Sequence, residues 1–239
     1  MSGSRGFCCV LAVAACAFAC PDAARAARPM VTDDARVVDS KSCQVESWLR
    51  HNVSGGEFWA LPACNFFTDL ELTFGGASAT ASGHSRVSDV LVQAKQILRP
   101  LERDGWGSAI AVGQLAHTDA GRPRHPAGDA YASVLNSVAF AGDRLVLHTN
   151  LGASHERAAR QNRLTWGVGA EAQLWPRGYL IAEAFGRDVG RPWFQLGLRV
   201  WLVPDRVQVD ATFGNRFGQA GDERWMTVGL RLLSPRWLP

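Results

Sequence analysis

The sequence predicts an all-β chain: a transmembrane, antiparallel, up-and-down β-barrel of about twelve strands. Three observations carry this. A secretory leader opens the chain. Short segments of alternating polarity follow almost without a break. Clusters of Gly, Pro, Asp and Asn divide those segments at regular intervals. The clearest segment is RLTWGVGAEAQLW, 163–175. Leu164, Trp166, Val168, Ala170, Ala172 and Leu174 fall on one side, and Thr165, Gly167, Gly169, Glu171 and Gln173 on the other. A period of two is that of a strand with two chemically different faces. In a membrane barrel the apolar face meets lipid and the polar face meets the lumen.

The leader has Arg5, an apolar run from Phe7 to Ala19 and a small-residue stretch, PDAARAARP. This is the layout of a signal peptide. Cleavage after Ala26 is expected, giving residues 1–26 as leader, 27–42 as a periplasmic lead-in and 43–239 as barrel. The apolar run is shorter than the roughly 20 residues a spanning helix needs. Val13-Ala14-Ala15-Cys16 also resembles a lipobox, which leaves lipidation of Cys16 open. No long apolar run follows the leader, which argues against a helical membrane protein.

Lysine occurs only at 41 and 95, so the positive charge is nearly all arginine, scattered through turns and loops. No basic stripe suggests a nucleic-acid partner. Of six cysteines, four lie in the leader and Cys43 and Cys64 remain. Segments 44–50 and 58–65 read as hairpin arms about a tip at 52–56. Folding there sets Cys43 opposite Cys64, within reach of a disulfide. Two separate buried thiols are the alternative.

Strands are expected at 44–51, 57–65, 68–81, 88–101, 106–118, 130–141, 144–154, 163–175, 178–187, 192–203, 206–216 and 224–234. With an even count both termini share the periplasmic end, so short turns and long outer loops alternate. Short turns fall at 65–68, 101–105, 142–143, 176–177 and 204–205, and long loops at 119–129, 155–162, 188–191 and 217–223. Leu70, Leu72 and Phe74 oppose Glu71, Thr73 and Gly75. Val207, Val209, Ala211 and Phe213 oppose Gln208, Asp210 and Thr212. A basic side chain at mid-depth in lipid costs roughly 2–4 kcal/mol, which fixes the facing of such strands. Segment 106–118 is ambiguous because both sides are small or apolar. Trp106, Trp166, Trp175, Trp193, Trp201 and Trp225 lie near strand ends, as aromatic girdles do.

The segment ACNFFTDLELTFGG (63–76), preceded by CQVESWLR and FWALPAC, resembles the barrel start of a group of uncharacterised proteobacterial outer-membrane proteins. That group is similar to the meta-pathway phenol-degradation family of channels for aromatic and other hydrophobic compounds. RPMVTDDARVVD (28–39) resembles the group's periplasmic lead-in. The likeness extends over most of the mature chain in layout, with its specific motifs in the first third. It implies a barrel in the Gram-negative outer membrane with an uptake role, and supplies no catalytic residues. The ending departs from a usual barrel: Leu232-Leu233 is followed by SPRWLP, where Trp237 is the aromatic left to signal to the barrel-assembly machinery.

The expected lumen-lining set is Glu46, Glu71, Asp89, Gln93, Lys95, Glu171, Gln173, Glu183, Gln195, Arg199, Asp210 and Arg231. These side chains either line a hydrated path or pair across the interior as a salt-bridged plug. His51, His84, His117, His125 and His155 are placed at the outer rim without metal-ligand spacing, so no metal and no cofactor is expected. Arg122, Arg124, Arg157, Arg160, Arg187 and Arg191 in outer loops suit the phosphates of lipopolysaccharide, or plain solvation. An enzyme is not expected: no G-x-S-x-G elbow occurs, and His148, Ser154, His155 and Glu156 are the only local set. The expected role is passive transport or binding of a small aromatic or hydrophobic solute. The alternatives are a structural or surface-interaction barrel with a filled lumen and, less favoured, a lipid-modifying enzyme.

Overall fold

The computed structural model describes residues 30–52, 55–81, 84–118, 128–218 and 223–238. Twelve strands follow one another: β1 Ser42–Asn52, β2 Gly55–Asn65, β3 Leu70–Ala81, β4 His84–Arg99, β5 Trp106–His117 and β6 Asp129–Phe140, then β7 Leu145–Glu156, β8 Gln161–Trp175, β9 Gly178–Arg187, β10 Trp193–Val203, β11 Val207–Arg216 and β12 Trp225–Leu233. Each pairs antiparallel with its neighbours in sequence, and β1 pairs with β12, so the sheet closes into a barrel. Closure leaves no unpaired edge, which is what allows a sheet to sit in lipid.

The wall divides by residue parity. Along β12, Trp225, Thr227, Gly229 and Arg231 are buried while Met226, Val228, Leu230 and Leu232 are exposed. The outward side chains are apolar around the barrel, among them Leu49, Phe74, Leu151, Leu164 and Leu198. The interior holds the polar and charged residues. An isolated water-soluble fold has the reverse arrangement; a hydrocarbon surround explains this one.

Turns at the end holding the start of β1 and the end of β12 are tight, as expected. That end is called proximal here and the other distal. At the β6–β7 turn, Gly142 and Asp143 take φ of 69° and 66°. Asp104 in the neighbouring β4–β5 turn accepts from Gly142 N at 2.6 Å, and Asp143 accepts from Asp104 N at 3.0 Å. Distal connections are long between β5 and β6, at 118–128, and between β11 and β12, at 217–224, but those at 157–160 and 188–192 are no longer than the proximal β4–β5 turn at 100–105. Between β1 and β2 and between β3 and β4 they span only 53–54 and 82–83, so the length alternation is incomplete.

Cys43 and Cys64 are register partners joined by a disulfide, with a Cα separation of 4.1 Å. Beyond β12 the tail turns back onto β1. Ser234 N donates to Cys43 O, and Trp237 N to Lys41 O.

The expected periplasmic lead-in is where the structure departs most from the sequence reading. From Met30 to Asp39 the chain has no regular secondary structure and lies inside the cylinder. Met30, Thr32, Asp34, Ala35 and Val38 are all buried. Small wall residues make room. A Cβ at Gly167 would lie 2.5 Å from Thr32 Oγ1, and one at Gly169 would lie 2.5 Å from Met30 Cε. Ala35 packs into a small apolar cluster with Ala109, Ala111 and Leu135. This also orients the ambiguous strand: Ala109 and Ala111 of β5 face the lumen, and Ile110 and Val112 face out.

Candidate functional site: a plugged lumen and a distal aromatic vestibule

The inserted segment is held by polar contacts at successive depths. Nearest the proximal end, Val38 N donates to Glu71 Oε2 at 2.9 Å, and Asn65 Nδ2 donates to Val38 O at 2.9 Å. Next, Ala35 N donates to Ser137 Oγ at 2.9 Å. Lys95 Nζ donates to Asp33 at 3.0 Å and to Asp34 at 3.2 Å. Oriented to satisfy its surroundings, the Asn150 amide donates to Asp33 O at 2.8 Å and accepts from Asp33 N at 2.6 Å. At the tip, both oxygens of Glu183 accept backbone N–H groups, from Val31 at 2.8 Å and Thr32 at 2.7 Å. Carboxylates accepting N–H groups are among the stronger hydrogen bonds available to a chain.

All twelve expected lumen residues face inward. Eleven are buried and Gln173, beside the Pro176 turn, is half-buried. They do not form one cluster. Arg199 Nη1 donates to Glu171 at 2.6 Å. Arg231 Nε donates to Gln44 at 2.7 Å and lies 3.5 Å from Glu46. Gln195 donates to Glu183 at 2.7 Å, and Tyr131 donates to Gln93 at 2.6 Å. Asp210 is the register partner of Arg199. Glu71 and Lys95 are also register partners, yet Lys95 pairs with Asp33 and Asp34, and Glu71 accepts from Val38 N and, at 3.1 Å, from Gln44 Nε2. What the periodicity missed is this internal partner. The glycines at 167 and 169 on the polar side of their strand are the signal that bore on it, since glycine there leaves space beside the wall.

Three tryptophans assigned to the girdles turn inward. Trp193, Trp201 and Trp225 share the lumen parity of their strands, and the latter two are buried. Gly214 beside Trp225 explains that placement, since a Cβ there would lie 2.1 Å from the indole. Trp106, Trp166 and Trp175 do face outward. At the distal end Trp48 and Trp59 stack across β1 and β2 at 5.5 Å, and Phe185 stacks on Trp193 at 5.9 Å. Arg50 lies over Trp225 at 4.6 Å, and Trp225 Nε1 donates to Gln195 at 3.3 Å.

These rings surround a distal vestibule of about 640 Å³ with Met30 and Val31 on its floor. A proximal cavity of about 620 Å³ lies at the other end against Ala35 to Ser40. Between them, beside Asp33 and Lys95, a gap holds only about 20 Å³. The inserted segment therefore closes the lumen at mid-depth.

The histidines scatter. His51 and His155 are exposed, and His155 Nδ1 lies 2.7 Å from Asn162 Oδ1. His117 lines the vestibule between Asp89, at 2.6 Å, and Asp129, at 3.4 Å. His125, Arg122 and Arg124 lie outside the described residues, as does the side chain of His84. Arg187 pairs with Glu156 at 2.5 Å, and Arg191 donates to Gly218 O at 2.8 Å. Among the described residues no group of three or more His, Cys, Asp or Glu is arranged to hold a metal ion. The sequence grouped His148 with Ser154 to Glu156. Instead, His148 Nδ1 lies 2.8 Å from Ser137 Oγ, and its Nε2 lies 3.6 Å from Glu171. Ser137 is fully buried and its hydroxyl already accepts Ala35 N–H, so a substrate carbonyl has no approach to it here.

A closed cylinder, apolar outside and polar within, defines the class of outer-membrane β-barrels. Within it, this chain belongs to the family described as Uncharacterised conserved protein UCP029691, whose model matches residues 14–233. No curated protein matches the sequence. The fold is similar to that of the KdgM porin, at TM-score 0.62 and 9% identity, covering 79% of this chain and 98% of that one. It is also similar to the COG4313 outer membrane channel from Pseudomonas putida F1, at TM-score 0.55 and 12% identity, covering 83% and 97%. The NanC porin matches at TM-score 0.54 and 10% identity, covering 80% and 98%. At identities this low the likeness shows the barrel fold alone.

Proposed function

We propose that the chain is an outer-membrane barrel that binds a small aromatic or apolar solute at its distal end and passes it inward without an energy source. The distal vestibule carries the reading. Its volume lies within the range of small-ligand sites, and its walls set flat rings beside polar groups that include Arg50, Asp129, Glu156 and Arg187. Stacking on such faces favours planar and apolar solutes. The porin-like fold supports passive passage, and the likeness to channels for aromatic compounds supports the solute class. Of Arg187 and Arg191, both expected in the outer loops, Arg191 suits a lipopolysaccharide phosphate at the rim, while Arg187 ends β9, lines the vestibule and pairs with Glu156.

The filled interior favours a second reading, a structural barrel whose lumen never opens. A titration separates the two. Phenol added to the folded, detergent-solubilised protein is expected to quench tryptophan emission saturably. The Trp48→Ala/Trp59→Ala variant is expected to lose most of that saturable component while keeping its heat-modifiable gel mobility. Quenching that rises linearly in both proteins removes the solute-binding reading and leaves the structural barrel.

A further inference from the structure

We propose that residues 30–39 form a displaceable gate, and that its release converts the barrel into a cation-preferring pore. The chemistry of the contacts argues for release. A permanent filling is apolar and interlocked, as in a protein core. This segment adds no strand to the sheet. Its grip is mostly backbone N–H groups set on wall acceptors and one lysine paired with two aspartates. Water can replace each of those contacts when the lumen wets, so their net hold is modest. The apolar part of the grip is small: Met30 against Gly169, Ala35 against Ala109, Ala111 and Leu135, and the buried Val38.

Geometry says where release begins. Among the described residues the polar clamp on the tip is Glu183, and the tip residues Met30 and Val31 form the vestibule floor. Glu183 is held in place by Gln195, which also receives the Trp225 indole N–H. An occupant resting on Trp225 therefore touches both the floor and the support of its clamp. The gate does not depend on the identity of that occupant.

Charge says what the opened path prefers. The buried wall carries six acidic side chains, Glu46, Glu71, Asp89, Glu171, Glu183 and Asp210, against Lys95, Arg199 and Arg231. With the segment in place, Glu71 and Glu183 are satisfied by its N–H groups and Lys95 by its aspartates. Once it leaves, Lys95 falls back on its register partner Glu71, and Glu183 faces open water. An excess of carboxylates along a narrow path attracts cations.

Two measurements on the full chain test this. In the folded Thr32→Cys variant, a water-soluble maleimide is expected to label the new thiol slowly. Adding Glu183→Gln is expected to raise the labelling rate by about tenfold or more, since two charge-assisted acceptances become weaker neutral ones. A Thr32→Cys thiol that labels only after boiling overturns the gate. So does a rate unchanged by Glu183→Gln. The second measurement is conductance in a planar bilayer under a KCl gradient. A variant lacking residues 30–37 is expected to conduct persistently, with a reversal potential of cation-selective sign. The Thr32→Cys/Gly167→Cys pair has its Cβ positions about 3.3 Å apart, near disulfide distance. Oxidised, it is expected to be silent; reduction is expected to restore wild-type behaviour. An oxidised pair that conducts like the reduced protein overturns the proposal, as does an anion-selective deletion variant. A pore that opens on deletion yet shows no saturable phenol quenching would remove the solute reading and leave the gate standing.

Discussion

Arg199 is the most consequential single side chain of the wall. It is 1% exposed, bonds Glu171 at 2.6 Å, and sits in register with Asp210. A buried pair of this kind adds little net stability over an apolar replacement, but breaking it leaves an uncompensated charge. Arg199→Met is therefore expected to destabilise the barrel by about 3–5 kcal/mol, read as a lower urea midpoint for loss of the compact gel form. Arg199→Met combined with Glu171→Gln is expected to recover much of that loss. A double variant as unstable as the single would show that Arg199 acts through other partners. Alternation alone placed Arg199 and Glu171 on the lumen side, because a period of two fixes a face. It did not reveal that they meet, because β8 and β10 are not sheet neighbours and the contact reaches over the intervening β9. Nor did alternation reveal that the acceptors for Val31, Thr32 and Val38 are Glu183 and Glu71.

At the scale of elements, the β1–β2 hairpin shows what spacing settles. The two cysteines, 21 apart in sequence, were readable as opposed positions because the tip between them is rich in Gly and Ser. In the chain-entropy account a loop of this length is worth about 3 kcal/mol. Cys43→Ser/Cys64→Ser is expected to lower the temperature at which the compact gel form disappears, and to do so only under non-reducing conditions. An unchanged temperature would mean that sheet closure against β12 already holds this hairpin. The inserted segment shows the opposite case. MVTDDARVV has neither a helical nor a strand period, and the likeness of 28–39 to the group's lead-in set it in the periplasm. Its place is decided by the wall, through glycines at 167 and 169 and alanines at 109 and 111. The same wall made β5 look ambiguous: a strand that meets Ala35 within and lipid without shows no polar side there. The tryptophans of β10 and β12 were misassigned for a related reason. A position near a strand end suits a girdle and a vestibule alike, and only parity separates them.

For the molecule as a whole, sidedness governs everything else. The strand count and the facing of the wall were legible in the sequence because lipid imposes its penalty on every outward position in turn. The closed state of the lumen was not, since it depends on where ten residues without a period come to rest. The sidedness can be tested at one pair of neighbouring positions on β12. Val228 is 62% exposed and lies midway along its strand, while Thr227 is buried and its hydroxyl lies 2.6 Å from that of Thr212. If hydrocarbon surrounds the barrel, Val228→Arg places a cation near mid-depth at a cost of roughly 2–4 kcal/mol. In water the same change would cost almost nothing, because an exposed strand position accepts arginine freely. Refolding into lipid vesicles is therefore expected to give a reduced yield of the compact form for Val228→Arg and a near-normal yield for Thr227→Ser. Equal yields for Val228→Arg and wild type would mean that this face does not meet lipid, and the membrane-spanning barrel would fall with it.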